Sequence, residues 1–94
     1  MDQQPQPQQL PLRADDATLK GVYSNAMQIS HTREEFVMDF MLVHPPAGLL
    51  SARVITSPGH LKRIIAALEE NLKRYESQFG VVKPSEEPAQ RIGF

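Results

Sequence analysis

An α+β domain, three antiparallel strands followed by one long C-terminal helix, is the fold this 94-residue sequence predicts. Three observations carry that expectation. Residues 57 to 80, "SPGHLKRIIAALEENLKRYESQFG", hold an apolar stripe with helical spacing. Ahead of it lie three strand-like runs, at 21–30, 35–43 and 49–57. The stretches between those runs, "HTREE" and "HPPAG", have lengths that suit hairpins rather than crossovers.

The helix is marked at both ends. Ser57 can accept from the free amides of the first turn, and Pro58 at the first helical position has no amide to leave unpaired. Apolar residues recur at Leu61, Ile65, Leu68, Leu72, Tyr75 and Phe79 in alternating steps of four and three, and Ile64 widens the stripe. Glu69 with Lys73 and Glu70 with Arg74 are opposite charges four apart, the spacing of a solvated helix face. Gly80 suits the left-handed position that closes a helix, which places the end near Phe79.

The strands follow from composition and parity. "GVYSNAMQIS" alternates imperfectly, "EFVMDFMLV" is almost continuously apolar, and "LLSARVITS" is β-branched and mixed. With Val43 opposite Leu49, the second hairpin sets Leu42 against Leu50, Phe40 against Ala52, Met38 against Val54 and Asp39 against Arg53. Closing the first hairpin with Ile29 at Phe36 sends Met27 to Met38 and Tyr23 to Leu42. One apolar face then forms for the helix to cover, with its stripe able to extend to a partner's helix, and Asn25 points into that face opposite Phe40.

The second sheet face is too apolar to meet only water. Val37, Asp39, Met41, Val43, Arg53 and Ile55 lie on it, and they are the expected interface residues of a homodimer or larger oligomer. A domain this small buries only roughly 60% of its unfolded surface, and one helix shields one face of a three-stranded sheet. Asp39 with Arg53 would be a cross-strand ion pair at that interface, setting register more than adding stability.

Composition bounds the function. Ten basic against eleven acidic residues, a formal charge of -1, carry no strong field of the kind a dedicated nucleic-acid or membrane-surface binder uses. The absence of cysteine excludes disulfides and thiolate chemistry. His31, His44 and His60 are too scattered for a structural zinc site, and no metal or cofactor is expected. Neither a leader pattern nor an apolar run of membrane-spanning length occurs, so the reading is a soluble cytoplasmic chain. Residues 1–18, rich in Gln and Pro, read as a disordered arm, 19–80 as the folded domain and 81–94 as a flexible tail. Within that tail, Ile92 and Phe94 of "RIGF" are either a frayed end or a short docking segment.

Candidate sites are few. "SHTREE" at 30–35 sets His31 beside Glu34 and Glu35, which could suggest acid–base work, but a hairpin loop offers no pocket to hold a substrate, so a solvated turn is the simpler reading. A buried Asn25 amide must find partners, through a structural hydrogen bond to backbone or to Tyr23, or through a ligand. His60, Lys62 and Arg63 at the helix start are the candidate anion or nucleic-acid contact, with Arg33 and Arg53 as additions. No activated nucleophile, carboxylate pair or phosphate loop is found, so no catalytic residue is assigned.

The combination "YSNAMQISHTREEFVMDF" and "ARVITSPGHLKRIIAALEENLKRYESQFG" resembles the small bacterial and archaeal proteins grouped as domain-of-unknown-function family 3467. Its features fall here at Tyr23, Asn25, Glu34, Glu35, Phe36, Asp39, Ser57, Pro58, His60, Lys62, Arg63, Tyr75, Glu76, Phe79 and Gly80. The resemblance covers roughly residues 20 to 80 and brings no assigned activity with it. Strands followed by a helix are also similar, in element order, to the core of the multimeric export-chaperone fold. The function expected from these readings is a non-enzymatic interaction or assembly module whose partner is itself, with another protein as a second candidate. A small nucleic-acid-binding regulator is the alternative.

Overall fold

The computed structural model describes residues 9–86. Its elements are α1 (Asp16–Lys20), β1 (Ala26–His31), β2 (Phe36–His44), β3 (Ala47–Thr56) and α2 (Pro58–Phe79). The strands form one antiparallel sheet in the order β1-β2-β3, so β2 is central. This is the α+β architecture expected, three strands and then a C-terminal helix.

The β2–β3 hairpin turns on Pro45 and Pro46, joined by a cis bond, between His44 and Ala47. From Phe36–Thr56 to Phe40–Ala52 the register is the expected one, with Met38 opposite Val54 and Asp39 opposite Arg53. Toward the turn it shifts by one residue between Phe40 and Met41, leaving Ser51 as the extra residue of a bulge. Leu50 therefore faces Met41, and Leu49 faces Leu42, an exchange that parity counting along an unbroken strand could not foresee.

In the first hairpin the register differs from expectation by two residues: Ile29 pairs with Met38 and Met27 with Phe40. The cause is the turn. The Thr32 amide donates to the Glu35 carbonyl at 2.9 Å, and the Thr32 hydroxyl accepts from the Glu34 and Glu35 amides at 3.3 Å. That closes a tight loop with His31 opposite Phe36, their rings 5.3 Å apart. Because side chains alternate with period two, a slip of two leaves the face assignment of β1 intact.

Two elements depart further from the sequence reading. The first strand begins at Ala26 rather than 21, and α1 lies ahead of it, partly inside the stretch assigned to the arm. Asp15 caps α1 by accepting from the Thr18 amide at 2.7 Å, and Gly21 leaves it at φ 73°, a conformation that favours glycine. The helix α2 has the predicted bounds. Ser57 accepts from the His60 amide at 3.2 Å, Pro58 stands in the first turn, and Gly80 closes the helix at φ 97° while donating to the Glu76 carbonyl at 2.9 Å. Arg74 meets Glu70 at 2.6 Å on the wet face. Residues 81–86 have no regular secondary structure, and the Val82 amide donates to the Glu76 carboxylate at 2.8 Å. Residues 1–8 of the arm, and Ile92 and Phe94 in the tail, lie outside the described residues.

The expectation that the stripe packs α2 along its own sheet is corrected. Ile65, Leu68, Leu72, Tyr75 and Phe79 are 47, 65, 50, 51 and 67% exposed. Only Leu61 and Ile64, in the first turns, are half-buried among the stripe residues. The physical reason is the connection. A single residue, Ser57, joins β3 to Pro58 with extended backbone (φ -74°, ψ 156°), so the chain passes from strand into helix without a loop that could fold the helix back. Among the described residues, the buried apolar side chains are Met38 and Met41, at 7 and 6% exposure.

Candidate functional site

Asp39 is the buried charge of the sheet, 9% exposed at the middle of the central strand. Its partner stands directly across the register. Arg53 Nε lies 2.6 Å from Asp39 Oδ1 and Nη2 lies 2.9 Å from Oδ2, a two-pronged pair that engages both carboxylate oxygens. The planar guanidinium makes this geometry possible, and a lysine in its place could not reproduce it. The Arg53 side chain remains half-exposed, so one side of the pair touches solvent. Hydrogen bonding from Arg53 holds the Asp39 carboxyl below its ordinary value, outweighing the opposing effect of desolvation.

A carboxylate so engaged is an anchor rather than a base, because proton transfer requires a free oxygen aimed at a substrate. The open concavity beside it, of about 230 Å3, is lined by Gln28, Ile29, Ser30 and Asp39. The pair has a consequence for acid stability. A depressed folded-state carboxyl contributes stability above its unfolded pKa of about 4, and that contribution is lost as pH falls through the folded value. Thermal melts from pH 7 down to pH 2 are therefore expected to show stability falling below about pH 4. Asp39→Asn should flatten that fall in addition to lowering stability at neutral pH. An unchanged acid profile in the variant would show that the pair is not its source.

Asn25 occupies a second structured position. Its side-chain Nδ2 donates to the Val43 carbonyl at 2.8 Å, its Oδ1 accepts from the Val43 amide at 2.8 Å, and its own backbone amide donates to the Met41 carbonyl at 3.0 Å. The side-chain amide thus imitates a paired strand residue and extends the β1–β2 ladder beyond the end of β1. This is the structural backbone hydrogen bond that the sequence allowed, but the residue is exposed rather than buried opposite Phe40. Ser24, which the sequence reading treats only as part of the first strand, joins the same stitch, its hydroxyl 2.8 Å from the Ala26 carbonyl and 3.0 Å from the Met41 carbonyl. A Ser-Asn pair just ahead of a strand run was the available signal, since both side chains compete for nearby backbone groups. Asn25→Ala should cost about 1–2 kcal/mol for two solvent-accessible hydrogen bonds. Hydrogen exchange at the Val43 amide should accelerate at the same time, and unaltered protection there would refute the role.

The remaining sequence candidates stay apart. His31 ends β1, His44 ends β2 and His60 lies in the first turn of α2. Among the described residues no three His, Asp or Glu gather to hold a metal ion. Glu34 and Glu35 sit in the exposed turn organised by Thr32. His60, Lys62 and Arg63 are exposed at the start of α2, but Pro58 has no amide and the His60 amide is taken by Ser57, so little of the helix N-terminus is left for an anion. On the second sheet face, Asp39 and Met41 are already buried within the single chain, Val37 and Val43 are half-buried, and Arg53 and Ile55 are exposed. No helix among the described residues is long and apolar enough to cross a membrane.

The family model described as "Protein of unknown function (DUF3467)" matches residues 1–84. The chain belongs to the DUF3467 family. The matched span begins at the first residue, so the DUF3467 pattern takes in the Gln/Pro-rich arm that the resemblance over 20 to 80 had left outside. Comparisons with curated proteins and with solved structures each yield no match. The likeness of this DUF3467 chain to the export-chaperone core therefore rests on element order alone.

Proposed function

We propose that this chain is a non-enzymatic assembly module whose first partner is a second copy of itself. The observation that carries the reading is the mismatch between apolar surface and core. Two methionines are the buried apolar side chains of the described residues, while α2 leaves five large apolar or aromatic side chains about half-exposed and β3 leaves Val54 and Ile55 open. At roughly 25 cal/mol per Å2 of apolar surface withdrawn from water, covering such faces is the largest unspent driving force in the molecule. A small domain with so little internal burial gains stability chiefly by association.

Self-association also agrees with the charge pattern. With a net charge of -1, two copies do not repel strongly at neutral pH. The mass of the native protein, measured by light scattering over a wide concentration range at low and high salt, tests this reading. An oligomer that persists at high salt is expected, because apolar burial is not screened. A monomer that persists at high concentration would overturn it.

A further inference from the structure

We propose that α2 pairs with α2 of a second copy, antiparallel and about a two-fold axis that crosses the seam between Leu68 and Leu72, at the level of Glu70. The inference rests on the assembly reading and names its contact. The stripe Leu61, Ile65, Leu68, Leu72, Tyr75 and Phe79 advances by alternating steps of four and three, a 3.5-residue repeat sustained over nearly three heptads. Beyond Ile64, which widens the stripe only in the half-buried first turns, the seam is confined to two positions in seven, narrower than the apolar stripe a helix uses to lie on a sheet, and it is the pattern by which helices pack on each other. The side chains of that seam from Ile65 onward are the ones left exposed.

Direction follows from volume and charge. The first half of the seam is aliphatic and the second half ends in Tyr75 and Phe79, whose rings stand 4.9 Å apart as one aromatic ledge. Antiparallel pairing about Glu70 sets Leu61 against the partner's Phe79, Ile65 against the partner's Tyr75 and Leu68 against the partner's Leu72. Every layer then joins a smaller side chain to a larger one or two leucines, so the packing is even along the seam. A parallel pair would stack Phe79 on the partner's Phe79 and Tyr75 on the partner's Tyr75, crowding one end and leaving the other thin.

The flanks agree. In antiparallel coils, residues on one flank of the seam face the same flank of the partner, which sets Lys62 against the partner's Glu76, twice by symmetry. Glu69 meets the partner's Glu69 at the axis, a like pair that works against association, with Lys73 spaced one turn away on each helix to offset it. Parallel pairing would place Ile64 beside the partner's Glu69 and Asn71 beside the partner's Glu76, with no opposite charges met.

The chain contains no cysteine, so single cysteines can be introduced at the outer face, as Arg63→Cys, Glu70→Cys and Ser77→Cys, and labelled with nitroxides. Dipolar distances and native mass are then measured on the same samples. The expected pattern is V-shaped: shortest at position 70, and longer at 63 and 77, where the axial offset between copies is about 21 Å. Equal distances at the three positions would mean a parallel pair and would overturn the proposal. An oligomer with long distances at all three would place its contact elsewhere and also overturn it. A monomer in those samples would instead remove the assembly reading itself. As a second measurement, Lys62→Glu should weaken association by about threefold to tenfold, and adding Glu76→Lys should restore it; failure of the double variant to recover would count against the antiparallel register.

Discussion

Leu72→Glu on α2 is expected to raise the dissociation constant of the proposed α2 pair by about three decades while leaving the fold of each chain in place. The position is half-exposed in the single chain, so the substitution removes little internal packing. In an α2 pair each Leu72 loses the burial worth about 2 kcal/mol, and the two-fold axis doubles the loss. Four kcal/mol corresponds to roughly a thousandfold change in affinity. The carboxylate would in addition be held in an apolar layer against Leu68 of the partner subunit, which adds to the effect. Sedimentation across a concentration series reads the result, and circular dichroism on the same samples confirms that the helix persists. Ser77→Glu, an exposed change on the opposite face of α2, is the matched control and should leave the mass unchanged. If Leu72→Glu sediments like the native protein, α2 is not the contact.

Met38→Ala and Met41→Ala should each destabilise the fold by about 2–4 kcal/mol, the range for truncating a buried methionine. In a domain of this size that is a fall in melting temperature of about 10–25 °C. The effect is large because these two side chains are the buried apolar core of the described residues, so nothing nearby compensates for a cavity. Met41 has a further reason to be methionine. It lies at the register shift opposite Leu50, where the strand pairing is irregular, and an unbranched thioether fills irregular gaps that a branched chain cannot. Ile55→Ala, on an exposed residue of β3, should cost far less in the single chain. Chemical denaturation of the three variants separates the cases, and equal losses at all three positions would mean that burial in the single chain does not govern stability.

Met41 stands at the boundary between pairing that local pattern dictates and pairing that it does not. The alternation of β2 and the Asp39–Arg53 coincidence are enough to place the pairing of the half of the hairpin away from the turn, because two opposite charges inside apolar strands pair most simply with each other. The bulge at Ser51 was invisible, since nothing in "LLSARVITS" distinguishes an extra residue from a paired one. The first hairpin was misplaced by two because Thr32, in a loop, uses its hydroxyl to tighten the turn, and loop length read from composition overcounts such a turn. The polar pair Ser24 and Asn25 reads in the sequence as part of a strand, whereas in the structure its side chains, with the Asn25 amide, carry the ladder past the start of β1.

What the sequence determined by itself is local: the α+β element order, the bounds of α2 through Ser57, Pro58 and Gly80, the cross-strand ion pair, and membership of a family whose residues are spread through these same elements. Each depends on interactions between residues close in sequence or on a parity rule that local alternation enforces. The destination of the apolar stripe on α2 was decided only by tertiary structure. Periodicity states that a face is to be buried and is silent on what covers it. That choice belongs to the one-residue junction at Ser57, which carries the helix out of β3 without room to reverse, and so leaves exposed a stripe that could have sealed a small core.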